Sequence, residues 1–178
     1  MCQAVDEYRI VTERLVLRTL RMADAKQVAT LCNNKKLYES TLHLPFPYAV
    51  ADAKAWIAHE TKNTYRWAIT TEDAKKVIGS MSLSENAQHG HGEIGYWLGE
   101  PYWGRGYATE AACAVLEWGF QSKGFHRIYG RHMTFNPASG RVLEKCGMKK
   151  EGVLREHVHK DGAFLDLVYY GKLVSDSV

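Results

Sequence analysis

Alternation between apolar and polar positions predicts about seven strands in this chain. In the first strand, Leu15 and Leu17 alternate with Arg14, Val16 and Arg18. The predicted strands cover residues 13–20, 66–71, 76–85, 93–98, 126–132, 149–159 and 164–173. Short polar turns join several of them, so antiparallel hairpins are expected at both ends of the sheet.

Apolar residues at three- and four-residue spacing predict four helices. The predicted helices cover residues 24–34, 53–62, 107–122 and 136–147. Asp52 is the predicted cap of the second helix, and Asn136 is the predicted cap of the fourth. Between the first two helices, residues 35–48 are predicted to be irregular, because Pro45 and Pro47 prevent a helix.

The order of strand, helix and strand over residues 93–132 predicts a parallel pair joined by a right-handed crossover. The other neighbours are expected to be antiparallel, which gives an α/β fold with one mixed sheet. A length of 178 residues without an internal repeat suits a single domain over residues 1–178.

A glycine-rich turn separates the central strand from the third helix. The turn reads Trp103-Gly104-Arg105-Gly106-Tyr107-Ala108. The first N–H groups of a helix lack partners within it, and the helix dipole places about half a positive charge there. Small residues let a phosphate approach such a backbone closely. The turn therefore predicts a site for the diphosphate of a cofactor.

Two common nucleotide-binding motifs do not fit this turn. A P-loop requires Gly-Lys-Ser/Thr after its second glycine, and no such triplet follows Gly106. The dinucleotide fingerprint requires a third glycine where this chain has Thr109, and it belongs to the first βαβ unit of a chain. Here earlier strands precede the turn, so both interpretations are rejected.

Three strings resemble the RimJ/RimL-like branch of the GNAT N-acetyltransferases, which modify the N-termini of ribosomal proteins. They are TERLVLR at 12–18, GYWL at 95–98 followed by YWGRGYATEA at 102–111, and NPASGRVLEKCGM at 136–148. The pyrophosphate-binding pattern of the wider family, Gln/Arg-x-x-Gly-x-Gly/Ala, falls on the turn. Trp103 departs from that pattern at its first place.

The resemblance covers residues 12–173 and implies the GNAT fold, in which two central parallel strands splay apart and acetyl-CoA lies in the gap. It implies that acetyl-CoA is the acetyl donor. It also implies that residues 35–48 form one wall of the acceptor cleft, the alternative being a loop that only closes the core. The implied cofactor-binding residues are Trp97, Leu98, Trp103, Gly104, Arg105, Gly106, Tyr107, Ala108, Thr109, Asn136 and Ser139.

The implied reaction is direct transfer of an acetyl group to a primary amine through a tetrahedral intermediate. The leading acceptor is the N-terminal amine of a ribosomal protein, and a small amine such as a polyamine or an antibiotic is the alternative. A third interpretation is a non-catalytic acyl-CoA sensor, which would keep the turn and lose the catalytic groups. Thioester turnover distinguishes the sensor from the enzymes.

Acetyl transfer needs a base for the amine and a hydrogen-bond donor for the oxyanion. By resemblance the predicted base is Glu93, at the start of the central strand, with His132 and Asp166 as rivals. The expected oxyanion donor is a backbone N–H near Trp97 or Leu98, which a β-bulge would leave unpaired.

The departing thiolate also needs an acid. Many family members have a tyrosine seven residues after the motif asparagine, where this chain has Leu143. RimL-like chains are thought to use the motif serine, so Ser139 is the predicted acid. Those chains place a glutamate base before the last hairpin turn, where this chain has Val158. A water-mediated route therefore stays open as the alternative to Glu93.

Composition and charge narrow the choice of partners. The net charge is +3 with dispersed Lys and Arg, which gives no footprint of a nucleic-acid binder. No stretch approaches the roughly 20 apolar residues of a membrane span, and the N-terminus lacks the apolar region of a signal peptide. We therefore expect a cytoplasmic protein without nucleic-acid or membrane partners, in which exposed aromatic residues mark a homodimer face.

The cysteines and histidines do not predict further chemistry. The four cysteines are Cys2, Cys32, Cys113 and Cys146. They contain no C-x-x-C pair, and the last three lie in helical patterns as small buried residues. The histidines of each pair, His89 with His91 and His157 with His159, share one face of a strand. No cysteine or carboxylate lies at a spacing that would complete a metal site with either pair. No metal site is expected.

Overall fold

The computed structural model describes residues 8–59, 61–73 and 75–177. The strands are β1 (Ile10–Val11), β2 (Leu15–Thr19), β3 (Thr64–Thr71), β4 (Val77–Asn86), β5 (His91–Leu98), β6 (Arg127–Met133), β7 (Lys149–Lys160) and β8 (Ala163–Leu173). The α-helices are α1 (Ala25–Cys32), α2 (Lys35–Ser40), α3 (Val50–Ala58), α4 (Tyr107–Ser122) and α5 (Pro137–Lys145).

One mixed sheet holds the strands in the order β1-β2-β3-β4-β5-β6-β8-β7. Its neighbouring strands are antiparallel except for β5 and β6, which are parallel and joined through α4. The predicted α/β class with a central parallel pair is therefore confirmed. Eight strands and five helices in the described residues replace the expected seven and four.

Helix α2 contradicts the prediction that residues 35–48 are irregular throughout. The Asn34 side chain accepts the N–H of Leu37 at 3.0 Å and thereby caps a short helix. Pro45 and Pro47 follow this helix and act only on the segment after it. The other added element, β1, is two residues long, too short for an alternation signal.

Helix α3 begins earlier than predicted, at Val50, and ends at Ala58. Asp52 was predicted to precede the helix as its cap, but it lies at the third helical position. From there its carboxylate accepts the N–H of Ala49 at 2.8 Å. A carboxylate near the start of a helix accepts an unpaired N–H and interacts favourably with the helix dipole. This holds at the cap position and at the third helical position alike.

Helices cover both faces of the sheet. On one face α4 and α5 pack on a core that includes Trp67, Met81 and Leu116, each at most 2 % exposed. Ala111 and Ala112 let α4 approach the strands closely. On the other face α1, α2 and α3 cover a smaller core over part of β3, β4 and β5. Next to this core, the polar side chains of that face are those of Arg66, Ser82, Ser84, Glu93 and Arg131.

The sheet opens between its two parallel strands. β5 and β6 pair from His91 opposite Arg127 to Ile94 opposite Gly130. Beyond that point both strands continue, to residues 98 and 133, without pairing to each other. The predicted splayed pair is therefore present. The predicted bulge in β5 is wrong, because β4 and β5 pair without a register shift over the whole of β5.

Some expectations fall partly or wholly on residues that are not described. The absence of a signal peptide was argued on residues 1–15, and the first seven of these, which include Cys2, lie outside the described residues. Within the described chain, no helix has both the length and the apolar character needed to cross a membrane.

Candidate active site

A cavity of about 1240 Å³ occupies the opening between β5 and β6. Its turn end is formed by Trp103, Gly104, Gly106, Ala108 and Thr109. Its sheet-face end is formed by Arg66, Ser82, Ser84, Glu93 and Arg131. The start of α5 lines it on one side, and α2 with the segment that follows lines it on the other. One continuous space therefore connects the glycine turn with the polar face of the sheet.

The glycine turn is built for close approach to its backbone. Gly104 and Gly106 have φ angles of +74° and +80°, in the left-handed region that glycine adopts without strain. Gly106 is the residue that caps α4. The Arg14 guanidinium fixes the turn: it donates to the carbonyl of Arg105 at 3.0 Å and lies 4.8 Å from the Tyr107 ring centre. The turn can therefore present the unpaired N–H groups of the helix start to an anion.

The structure brings most of the predicted cofactor-binding residues to this one cavity. Those that line it are Trp97, Leu98, Trp103, Gly104, Gly106, Ala108, Thr109, Asn136 and Ser139. Arg105 and Tyr107 instead contact Arg14. The end of β5, the glycine turn and the start of α5 thus meet at one cavity, as the motif strings predicted. The roles of these residues in binding the cofactor stay predictions.

The backbone of β5 offers donors to the cavity without a bulge. The Gly99 N–H donates to the Ile78 carbonyl on β4 at 2.9 Å. Because successive backbone groups of a strand point to opposite sides, those of Leu98 and Tyr96 point away from β4, into the opening. The Leu98 carbonyl accepts the indole N–H of Trp103 at 2.6 Å. The Leu98 N–H is therefore available as the predicted oxyanion donor.

Glu93 lies on the polar sheet face, with both carboxylate oxygens engaged. Arg131 donates from Nε to Oε1 at 2.7 Å, and the Tyr129 hydroxyl donates to Oε2 at 2.9 Å. Burial raises the pKa of Tyr129 to about 12, and its hydrogen bond to Glu93 adds to the rise, so it stays a neutral donor. A carboxylate has about four acceptor sites, so the two bonds orient Glu93 and leave room for another donor.

Three small residues, Ser82, Ser84 and Gly95, form the floor of the cavity between Arg66 and Glu93. Arg66 is opposite Ser82, Ser82 is opposite Gly95, and Ser84 is opposite Glu93. A Cβ on Gly95 would meet only the Ser82 hydroxyl, at 3.2 Å. Packing therefore does not require glycine at this position, and its absent side chain leaves space above the floor for a ligand.

Arg66 forms the wall of the sheet-face end beside α3. It donates to the carbonyls of Trp56 at 2.6 Å and His59 at 2.9 Å, and to the Thr61 hydroxyl at 3.0 Å. Its guanidinium lies 4.9 Å from the Trp56 ring centre, and desolvation by burial lowers its pKa. Arg66 thus satisfies carbonyls at the end of α3 and keeps a cation in the cavity wall.

Ser139 lies in the first turn of α5 against a tyrosine from the neighbouring strand. Its Oγ is 2.8 Å from the Tyr96 hydroxyl, which also donates to the Ser139 carbonyl at 3.0 Å. Asn136 caps α5 by accepting the Ser139 N–H at 3.3 Å, and its Nδ2 donates to the Ser40 carbonyl at 3.3 Å. Asn136 therefore connects α5 with the end of α2.

The segment after α2 is a wall of the cavity as well as a cover of the core. Its residues from Thr41 to Pro45 line the cavity, and Tyr48, which also reaches the lining, is buried in the smaller core. The turn between β7 and β8 holds it in place. Lys160 donates to the Thr41 carbonyl at 2.5 Å and lies 4.0 Å from the Tyr38 ring centre, and the Tyr38 hydroxyl donates to Asp161.

The two rival bases have other contacts. His132 faces α5: its Nδ1 is 2.8 Å from the Met133 carbonyl, and a Cβ on Gly140 would come within 2.6 Å of its Nε2. Asp166 accepts the backbone N–H of Glu156 at 2.7 Å. His132 also lines the cavity, from the face that α5 covers, whereas Glu93 lies on the open sheet face, which favours Glu93 as the base.

The cysteines and histidines add no site among the described residues. Cys32 and Cys146 are buried as expected, whereas Cys113 is half-buried, and the three described thiols are free. Burial raises the pKa of the Cys32 thiol to about 12, which makes it unreactive. No group of three metal-ligating side chains occurs in the described part of the chain.

Sequence reasoning missed the side chains that support the candidate residues. No role was predicted for Arg14, Arg66, Tyr96, Tyr129 or Arg131. Tyr129 and Arg131 alternate on a predicted strand, so their shared face was readable from the sequence. Their partner Glu93 lies 36 and 38 positions away, and only the parallel pairing of β5 and β6 brings it near.

Comparison with known proteins agrees with this arrangement. The sequence profile of the acetyltransferase (GNAT) domain matches residues 14–149. The uncharacterised N-acetyltransferase YoaA of Bacillus subtilis is 32 % identical over 89 % of this chain and 93 % of its own. The ribosomal protein uS5-alanine N-acetyltransferase of Escherichia coli is 27 % identical over 92 % and 90 %. The spermidine N(1)-acetyltransferase of Vibrio cholerae is 25 % identical over 88 % and 91 %.

Solved structures show the same fold. A GNAT-family acetyltransferase from Bacillus anthracis superposes with a TM-score of 0.86 over 94 % of this chain and 99 % of its own, at 24 % identity. The domain match covers well over half of the chain, and the cavity holds the glycine turn and the splayed strands that the motif strings predicted. The chain therefore belongs to the GNAT acetyltransferase family and is an N-acetyltransferase.

Proposed function

We propose that this enzyme transfers the acetyl group of acetyl-CoA to the N-terminal α-amine of a protein chain. Acetyl-CoA is the acetyl donor. The observation that carries the proposal is the single cavity that joins the glycine turn to the Glu93 carboxylate past the free edge of β5. A donor molecule bound along that edge would meet an acceptor amine arriving over the polar sheet face.

The residues of the cavity fit a diphosphate-bearing thioester. The turn end provides unpaired N–H groups at the start of α4, with open space in front of Gly104. The backbone groups of Tyr96 and Leu98 that face the opening can pair with the amide groups of the pantetheine arm. Asn136 and Ser139 stand across the opening on α5.

The proposed mechanism assigns one group to each requirement of the reaction. Glu93 takes a proton from the acceptor amine, directly or through one water. The Leu98 N–H donates to the oxyanion of the tetrahedral intermediate. The Ser139 hydroxyl protonates the leaving sulfur and its oxygen regains a proton from water, and Glu93 then gives the amine proton to the hydroxide that remains. The amide forms as the C–S bond breaks, so atoms and charges balance.

The carboxylates around the cavity favour a single amine over a polyamine. A polyamine needs several free carboxylates, and the described lining offers Glu39, Asp52 and Glu93. Glu39 pairs with Lys35 at 3.9 Å and Asp52 accepts a backbone N–H, so Glu93, which has room for one more donor, is the carboxylate that can meet an amine. The guanidinium groups of Arg66, Arg131 and Arg141, which line the cavity, further disfavour a polycation.

The acceptor is tested by release of CoA thiol from acetyl-CoA with a panel of amines. Peptides that begin with Ala, Ser or Met, spermidine and an aminoglycoside cover the alternatives. We expect kcat/KM for at least one peptide to exceed that for spermidine by about tenfold or more, a difference of about 1.4 kcal/mol. The matched control is the same peptide with a blocked N-terminus and an internal lysine, which should not react. Turnover of spermidine or the aminoglycoside with no peptide turnover would overturn the proposal.

Gly104→Ala is expected to raise the dissociation constant for CoA about tenfold, because the new methyl group stands where a phosphate approaches the backbone. Gly124→Ala is a matched control at the other end of α4. Its φ is +68°, and both positions have no atom within 4 Å of an added Cβ. Strain of about 1–2 kcal/mol should lower the stability of both variants alike. Calorimetric titration with CoA would contradict the assignment if the two variants bind equally well.

A further inference from the structure

The tyrosine that many GNAT enzymes carry on the helix of the asparagine motif is absent here. Its position holds Leu143, which is 1 % exposed and belongs to the core beneath α5. No proton donor can reach the cavity from that side chain. A different phenol stands at the start of the same helix, because Tyr96 on β5 points to the face covered by α5.

Two hydrogen bonds join Tyr96 to Ser139. The phenol lies 3.0 Å from the Ser139 carbonyl and 2.8 Å from its Oγ, and both residues line the cavity. When the phenol O–H donates to the carbonyl, its oxygen can accept the Ser139 O–H. When the Ser139 O–H turns toward a ligand, the phenol O–H can donate to Oγ instead. Both arrangements keep every hydroxyl proton bonded.

We propose that Tyr96 is the positioning residue for Ser139, which it holds toward the leaving sulfur and whose oxygen it stabilises as that oxygen gives up its proton. The proton moves from Ser139 Oγ to sulfur, water restores it, and Tyr96 keeps its own proton throughout. Desolvation by burial holds the pKa of Tyr96 far above its ordinary value, so the phenol stays a donor at any working pH. The inference rests on the role given to Ser139 in the proposed function, but it is independent of which amine is the acceptor.

The test is a double-mutant cycle with Tyr96→Phe and Ser139→Ala, run on whichever amine of the panel reacts fastest. Tyr96→Phe should lower kcat about tenfold, and Ser139→Ala about a hundredfold, with KM for acetyl-CoA unchanged in Tyr96→Phe. The double variant should be no slower than Ser139→Ala, because Tyr96 acts only through Ser139.

Tyr170→Phe controls for a purely structural effect. Tyr170 is also a sheet tyrosine that donates to α5, through Glu144 at 2.9 Å, but it lies outside the lining of the cavity described above. The two Phe variants should lose similar thermal stability, and only Tyr96→Phe should lose kcat.

Three results would overturn the inference: additive losses in the double variant, an unchanged kcat in Tyr96→Phe, or an equal loss of kcat in Tyr170→Phe. None of these results bears on the proposal that the acceptor is an N-terminal α-amine, because the panel of amines tests that proposal on the wild-type enzyme. A wild-type enzyme that reacts with spermidine alone would remove the α-amine proposal and leave the cycle fully interpretable.

Discussion

Glu93→Gln is expected to lower kcat by about a hundredfold or more, with little change in KM for acetyl-CoA. The amide is nearly isosteric: its oxygen can still accept the hydrogen bond from Arg131, and its NH2 can donate to the Tyr129 hydroxyl oxygen in place of the bond that Glu93 accepts there. It cannot take a proton from the acceptor amine at neutral pH. The loss should therefore appear in the chemical step, which single-turnover measurements with saturating acetyl-CoA isolate.

Glu151→Gln provides the matched control for this variant. Glu151 forms an ion pair with Arg127 of β6, as Glu93 does with Arg131 of the same strand, but it lies on β7 outside the lining of the cavity. Its replacement should leave kcat within about twofold of the wild type, as expected for a partly exposed surface pair. A Glu93→Gln enzyme that keeps more than about half of the wild-type kcat would remove Glu93 as the base and favour a water-mediated route.

Asp24→Asn is expected to lower the free energy of unfolding by about 3–5 kcal/mol, because it removes the charged acceptor from the buried Arg18–Asp24 ion pair. Arg18 and Asp24 are 3 % and 7 % exposed and form two hydrogen bonds, of 2.8 and 2.9 Å. Asp24 also accepts the Arg21 N–H at 2.8 Å. Urea denaturation measures the loss. Asp73→Asn, in an exposed turn, is the control and should change stability by less than about 0.5 kcal/mol.

The same pair gives a pH dependence of stability. Burial raises the pKa of Asp24, but the hydrogen bonds from Arg18 and Arg21 outweigh it, so the folded pKa lies below the ordinary value of 3.8. A depressed carboxyl pKa gives stability that is complete above the unfolded pKa and is lost as pH falls through the folded pKa. The difference in stability between the wild type and Asp24→Asn should therefore be constant near neutral pH and shrink below about pH 4. A difference that grows on acidification would contradict this assignment.

The parts of the fold that were predicted correctly have local signals. Helix α4 begins at Tyr107 and ends at Ser122 as predicted, because a glycine turn, a helical stripe and Gly124 mark both ends. Helix α2 was missed because Pro45 and Pro47 were taken to prevent a helix in the residues that precede them. The Asn34 cap instead starts a short helix that ends before the prolines. The bulge in β5 was predicted to free a backbone donor, but the end of pairing with β6 already does so.

The candidate site was likewise predicted where its residues lie in one contiguous motif and missed where they come from separate strands. The glycine turn and the asparagine motif are contiguous strings, so sequence alone brought their residues to one predicted site. The partners of Glu93 and Ser139 come from other strands, and the contacts depend on sheet register. Register is a property of the assembled sheet, and no local pattern in this chain encodes that Tyr96 meets Ser139 across 43 positions.

Amide hydrogen exchange of β5, resolved residue by residue with and without CoA, tests the central claim most directly. We propose that the pantetheine arm lies along the free edge of β5, where the N–H groups of Tyr96 and Leu98 point into the opening. Those two amides should become protected when CoA binds, while Gly95 and Trp97, which pair with β4, should keep their protection unchanged. Binding of CoA with no change at Tyr96 and Leu98 would contradict the placement of the donor in the opening between β5 and β6.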